Sequence, residues 1–333
     1  MDFTIIIPSR NRPVLLRKAI DSVLMQTHPE FEILVVNDGS DGESEQAYAD
    51  LAAELTGQVR FLNLEKAKNG HGQSGSLNRG ADVAHGKYLC FLDDDDYWTD
   101  SDHLKRSFQS LESTQSEIYF ANQDAVLGDK PVPGPIWLEP LTDQLPLHAK
   151  ADASGSFVVT INDLMACPGF GHLNTTIVRR SLFDQIGGLD ENIRYECDLD
   201  FYLRIIDVAD GIRYFPGIVS RHFAPDPAKS LNMSTAVSYL QKMLFRAYVW
   251  DKALLFARRQ IIRKAAARNK SHTLKKIAVA LAKDHCFKQA FHYARQTLLT
   301  GFTFKWLAYC SYLGLRAVTS TRSDNVQSTG THA

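Results

Sequence analysis

Lys87 to Trp98 reads KYLCFLDDDDYW. Its first half, Lys87 to Leu92, has the length and composition of a strand buried on both faces. Its second half delivers four successive carboxylates, Asp93 to Asp96, to the strand's carboxyl end. In open α/β sheets, ligands bind outside those ends. Carboxylates crowded there repel one another and call for a cation or solvent, and oxygen-only donors suit Mg²⁺ or Mn²⁺. Such an ion bridges a diphosphate and neutralises the charge on a departing nucleotide. A solvated acidic turn or an incidental calcium site is the plainer alternative. The position between an apolar strand and Tyr97-Trp98 favours a ligand.

Upstream the same rhythm repeats. Phe3 to Ile7 and Phe31 to Val36 are apolar runs read as buried strands, and Val59 to Leu64 is a third. Between them lie a helix opening near Pro13, with Asn11 as its cap, and a helix from Glu43 to Leu55. Val14, Leu15, Ile20, Val23 and Leu24 supply the apolar face of the first helix. A glycine-rich loop, Asn69 to Gly75, leads into a helix through Ala84. This alternation predicts an α/β fold, a mostly parallel sheet flanked by helices. Residues 128–156 read as an irregular insertion. Thr175 to Arg179 and Ile218 to Ser220 read as strands, and Ser181 to Ile186 and Asp198 to Val208 as helices.

Parallel strands share polarity, so Pro8-Ser9-Arg10-Asn11 and Asn37-Asp38-Gly39-Ser40 should close on the same edge as the acidic run. Asp38 there can accept hydrogen bonds from a base or ribose, and Arg10 can meet phosphate. Taken singly, each is ordinary turn chemistry. Gly70 to Gly75 satisfies G-x-G-x-x-G, but that fingerprint should follow the first strand directly, and here it does not. The loop is read instead as backbone, Gly72 above all, that approaches a ligand, with Asn78 nearby. Asp198 falls in the first turn of its helix, where a carboxylate facing a cleft can take a proton from an attacking hydroxyl. Plain capping is the alternative role, and Asp200 the alternative base. His222 could ligate the metal or touch phosphate.

In this order the segments IIIPSRNRP, ILVVNDGS, LNRGADVAHGKYLCFLDDDDYW and VRRSLFDQIGGLDENIRYECDLDFYLRI resemble glycosyltransferase family 2 over roughly residues 3–225. The resemblance implies the GT-A, Rossmann-like fold and an inverting, metal-dependent transfer from a nucleoside diphosphate sugar, UDP-linked for preference. It implies that Asp38 binds the base, that Asp93 and Asp95 form the D-x-D metal and diphosphate site, and that Asp198 is the catalytic base. With the turn residues above, the expected donor site is Pro8, Ser9, Arg10, Asp38, Gly72, Asn78, Asp93 and Asp94, and the expected metal ligands are Asp93, Asp95 and His222. Two departures stand out. The family usually has Glu-Asp where this chain has Cys197-Asp198, and many relatives have Ala-Arg-Asn where it has Ser76-Leu77-Asn78. A nucleotidyltransferase would carry a glycine-rich, basic loop after the first strand, which Pro8-Ser9-Arg10-Asn11 is not. A catalytically dead sugar-nucleotide module is the other alternative, hinted at only by Cys197.

Composition sets the outer limits. A chain of 333 residues, 44% hydrophobic and 23% charged, is ordinary globular material with room for a domain and an appendage. Five scattered cysteines without a C-x-x-C pair speak against a disulfide framework or zinc ribbon and for a reducing cytosol. The N-terminus lacks the pattern of a signal peptide. Charge is uneven. Residues 251–333 hold 15 Lys and Arg against three Asp, net +12, which leaves residues 1–250 at −13. A catalytic domain is expected over 1–228, a basic helical region over 233–318 and a disordered tail over 319–333. Leu298 to Leu315 is apolar but interrupted by Lys305, which suits a packed or interfacial helix more than a spanning one. The resemblance adds bacterial cell-surface polysaccharide synthesis on saccharide or lipid-linked acceptors. The expected setting is the cytoplasm, with peripheral contact at the inner face of the plasma membrane and no nucleic-acid partner.

Overall fold

The computed structural model describes residues 1–226 and 237–328. The chain divides into two compact units, Met1–Asn232 and Met233–Ala333. The boundary expected between 228 and 233 lies outside the described residues.

The first unit is built on a mixed sheet. Strands β1 (Phe3–Ser9), β2 (Phe31–Asn37), β3 (Val59–Asn63) and β4 (Tyr88–Phe91) are mutually parallel in the order β3-β2-β1-β4. The chain enters at β1, winds outward to β3, then crosses back to β4 on the other side of β1. The loops after β1 and β4 therefore leave in opposite directions and open a crevice between them, the switch point where α/β sheets bind ligands. Beyond β4 the sheet continues through β9 (Thr176–Arg179), which is antiparallel, then β6 (Ile118–Leu127), β10 (Ile212–Phe223) and β5 (Tyr97–Trp98). Two short strands, β7 (Lys130–Pro131) and β8 (Phe157–Val158), pair off this path.

Helices cover both faces. On one, alternate residues of β1 and β2 (Phe3, Ile5, Ile7; Ile33, Val35) pack with α1 (Pro13–Leu24), α2 (Gly42–Glu54) and α4 (His103–Thr114). On the other lie α3 (Gly72–Asp82), α7 (Arg180–Gln185) and α8 (Cys197–Val208), with Phe91 set edge-on to Phe201 at 5.7 Å. Residues 128–156 are mostly irregular, holding strand β7, one short helix, α5 (Leu141–Gln144), and one 3-10 turn; a second short helix, α6 (Ile161–Ala166), follows them.

Three local expectations change. The buried face of α1 is Leu16, Ala19, Ile20 and Val23, spaced i, i+3, i+4, i+7, while Val14 is 74% exposed and Leu24 is also exposed. Asn11 does not cap this helix. It takes a left-handed conformation, φ 57°, and ties two turns together by donating its N–H to Ser40 and accepting from the Asp41 N–H. The strand expected at Ile218–Ser220 is the middle of the twelve-residue β10, bulged between Phe215 and Ser220.

The second unit is helical: α9 (Tyr239–Phe256), α10 (Gln260–Lys283), α11 (Phe287–Gln296) and α12 (Phe304–Ser328), each packed on the next. Ser238 and Gln241 form a capping box that starts α9. Small and branched residues make its core, among them Ala247, Ile277, Ala278, Ala290 and Leu313. Helix α12 continues past Thr319 to Ser328, where a disordered tail is expected from sequence. A helix already nucleated adds residues at little cost. Among the described residues, no helix is long and apolar enough to cross a membrane.

Candidate active site

The ends of β1, β2 and β4 bring most of the expected site residues to one edge. After β4, the four aspartates diverge. Asp94 turns inward, 1% exposed, where its carboxylate accepts from Ser9 Oγ at 2.5 Å and pairs with Arg12 Nη2 at 2.6 Å. Arg12 reaches Asp95 with its other nitrogen, at 2.7 Å. Ser9 also bonds the Tyr48 hydroxyl. Ser9 and Asp94 therefore brace the β1 and β4 loops instead of presenting free groups to a donor. Burial pushes the Asp94 carboxyl up to about 7, against the pull of Arg12 and Ser9.

Asp93, Asp95 and Asp96 keep ligand oxygens within 4.8 Å of one another. Burial, then Asp96 and Asp95, drive the Asp93 pKa upward, with His222 opposing. Arg12 offsets only part of this negative charge, at Asp95, and an all-oxygen set of that size fits Mg²⁺ or Mn²⁺. The third member is Asp96, where His222 is expected from sequence. His222 Nδ1 lies 2.7 Å from Asp96 Oδ2, which also accepts from Asn174 Nδ2, while Asp96 Oδ1 accepts from the Phe223 N–H. His222 stands behind a carboxylate of this cluster and orients it. Burial alone would lower the His222 pKa, but the Asp96 bond and charge raise it.

The glycine-rich loop serves a different anion from the one its motif names. The backbone N–H groups of His71 and Gly72, at the start of α3, donate to the Asp38 carboxylate at 2.8 Å and 3.1 Å. His71 Nδ1 lies 2.7 Å from Asp38 as well. The helix N-terminus thus holds a carboxylate of the chain itself. Gly70 and Gly72 both have positive φ, +64° and +82°. A Cβ at Gly70 would collide with Asp38 and with Arg10 Nη1, which places Arg10 beside Asp38. Asn78 lies elsewhere: its amide bonds both backbone groups of Leu189 and the Glu191 carboxylate. It braces α3 against that turn, as its place six residues into the helix dictates.

Asp198 opens α8, with its carboxylate on the N–H of Leu199. One side chain joins this helix to the acidic edge. Gln73 donates Nε2 to Asp93 Oδ1 at 2.7 Å, and its Oε1 accepts from the Cys197 thiol at 3.3 Å. Cys197, where the family usually has a glutamate, thus links through Gln73 to Asp93. Asp200, the alternative base, is fully buried and paired with Arg204 Nε at 2.8 Å. Glu196, just before Asp198, is held at φ 69°, a left-handed conformation rare outside glycine that clusters at functional sites.

Arg12, Gln73, Asp96 and Asn174 were not singled out from sequence. Arg12 stands in a motif already quoted, but no spacing rule brings its side chain to Asp95. Asn174, which receives the Asp93 N–H and donates to Asp96, sits in a turn without any signature.

The family model described as Glycosyl transferase family 2 matches residues 4–171, half of the chain. The chain belongs to glycosyltransferase family 2. Among curated relatives, the succinoglycan biosynthesis protein ExoW of Rhizobium meliloti is 36% identical over 123 residues, covering 36% of this chain and 37% of ExoW. The GalNAc(5)-diNAcBac-PP-undecaprenol beta-1,3-glucosyltransferase of Campylobacter jejuni is 37% identical over 93 residues, 28% of this chain and 29% of that one. The chain thus spans well under half the length of these two relatives. A solved structure of S. aureus TarS 1-349 in complex with UDP-GlcNAc superposes with a TM-score of 0.67 at 16% identity, over 96% of this chain and 89% of that one. The family 2 chain shares the GT-A fold with it.

Proposed function

We propose that this family 2 chain is an inverting transferase that moves a sugar from a nucleoside diphosphate sugar to a hydroxyl of a saccharide or lipid-linked acceptor in cell-surface polysaccharide synthesis. The observation that carries the reading is the Gln73 bridge, which puts the first turn of α8 two hydrogen bonds from Asp93. Inversion needs the base and the leaving diphosphate on opposite sides of the sugar, and a base on α8, an element separate from the acidic edge, suits that need.

A bound divalent ion would neutralise charge on the departing diphosphate, with Asp93, Asp95 and Asp96 to hold it. Asp198 takes the acceptor hydroxyl's proton as that oxygen attacks the anomeric carbon and the bond to diphosphate breaks. Arg10, beside Asp38, meets phosphate in this reading. The nucleotide is UDP in this proposal, in keeping with the TarS complex. Of the two acceptor classes, the lipid-linked one is in keeping with the printed name of the Campylobacter relative.

The test pairs two variants with a thermal-shift panel of UDP-, GDP- and dTDP-sugars, with and without Mn²⁺. Asp198→Asn should lower turnover by about 10³-fold while the Mn²⁺-dependent shift with donor stays. Asp95→Ala should lose that shift. Unchanged turnover in Asp198→Asn would remove the base from this reading. A shift with no sugar under any condition would remove the donor.

A further inference from the structure

The helical unit departs from ordinary surface composition at one place. Within six residues, Leu299 is 97% exposed, Phe302 51% and Phe304 83%. Scattered exposed apolar residues are common, but three large ones at the end of one short loop and the start of α12 form an exposed apolar patch. The loop is anchored, not loose. Lys275 of α10 donates its Nζ to the Gly301 carbonyl at the centre of the loop, and the same ammonium lies 5.1 Å from the Trp306 ring. The loop therefore rests on the lysine face of α10.

That face is strongly cationic. Helix α10 carries seven Lys and Arg and no Asp or Glu. Along one side His272, Lys275, Lys276 and Lys283, with Tyr239 and Val279, line an open groove of about 350 Å³. Lysines lining a groove, beside an exposed apolar patch, match the boundary between anionic headgroups and acyl chains.

We propose that this surface docks the chain on an anionic lipid bilayer: Leu299, Phe302 and Phe304 enter the acyl boundary, and Lys276 and Lys283 hold acidic headgroups at the groove. Exposed bulky apolar side chains next to lysines argue for a lipid partner, which offers acyl chains and acidic headgroups side by side. The net charge of +12 over 251–333 selects an anionic one. Because no described helix can cross the bilayer, the contact is interfacial. The inference does not depend on the transferase reading.

Flotation of the full chain with vesicles tests it without any activity assay. The chain should float with phosphatidylglycerol-containing vesicles, stay behind with pure phosphatidylcholine, and be released when salt shortens the screening length to a few ångströms. Leu299→Ser with Phe304→Ser, and separately Lys276→Glu with Lys283→Glu, should each weaken partitioning roughly tenfold or more. All four side chains are exposed, so circular dichroism should be unchanged. Equal flotation with neutral vesicles would overturn the proposal, as would none with acidic ones. So would a self-association without lipid that these substitutions abolish, since a second copy would then cover the face.

Discussion

The two units break the usual partition of residues in opposite ways. The first draws charge inward: Asp94 and Asp200 are 1% and 0% exposed at strand and helix ends. The second pushes apolar bulk outward: Leu299 is 97% exposed, while its core is made largely of alanines and medium-sized side chains. A buried charge persists only with partners, and Arg12, Ser9 and Arg204 supply them. An exposed apolar loop stabilises nothing by itself, so it is kept for contact with something else. The first departure builds the candidate site and the second a surface.

Within the helical unit the contrast is open to direct attack. Ile277, fully buried, and Leu299 are similar side chains in opposite settings. Ile277→Ala should cost about 3 kcal/mol of stability, and Leu299→Ser less than about 0.5 kcal/mol, both read by urea titration. Equal costs would mean the loop is packed after all. In the first unit, Arg12→Ala strands Asp94 without its cation. The loss should be about 2 kcal/mol, below the value for a fully buried pair because the Arg12 side chain is 40% exposed. Gln73→Leu should weaken Mn²⁺-dependent donor binding about tenfold, by freeing Asp93 to reorient, with little change in melting temperature. An unaltered Mn²⁺ titration would reduce Gln73 to packing.

A different kind of test, acid sensitivity, concerns a neutral buried group. His103 is fully buried against Trp98, and burial lowers its pKa from 6.5 to about 3. The unfolded chain takes a proton near 6.5 that the folded chain refuses, so stability is lost as pH falls from 6.5 toward 3. Each unit of pH in that window should cost about 1 kcal/mol, and His103→Leu should remove that slope. If the variant keeps the same acid sensitivity, the carboxylates carry it.

Much of this was legible in the chain. The run from Tyr88 to Phe91 and its acidic end marked a strand and an edge, because apolar continuity and carboxylate crowding are local properties. The strands β1 to β4, the helices between them and α8 follow for the same reason. Strand β6 and helix α4 were missed. IYFANQDAVL alternates too weakly to announce a central strand, and only its neighbours β9 and β10 give it partners.

The sequence alone therefore determined the family, the parallel half of the sheet, the acidic edge and the uneven charge, since each is written in residues close together along the chain. Only the tertiary structure decided what each acidic group does. It paired Asp94 with Arg12, gave Asp38 to the start of α3, placed Asp96 between Asn174 and His222, and set Gln73 between Asp93 and Cys197. Those partners come from segments tens of residues apart or more, and a carboxylate's role is set by what lies within about 3 Å of it, a distance no local pattern encodes.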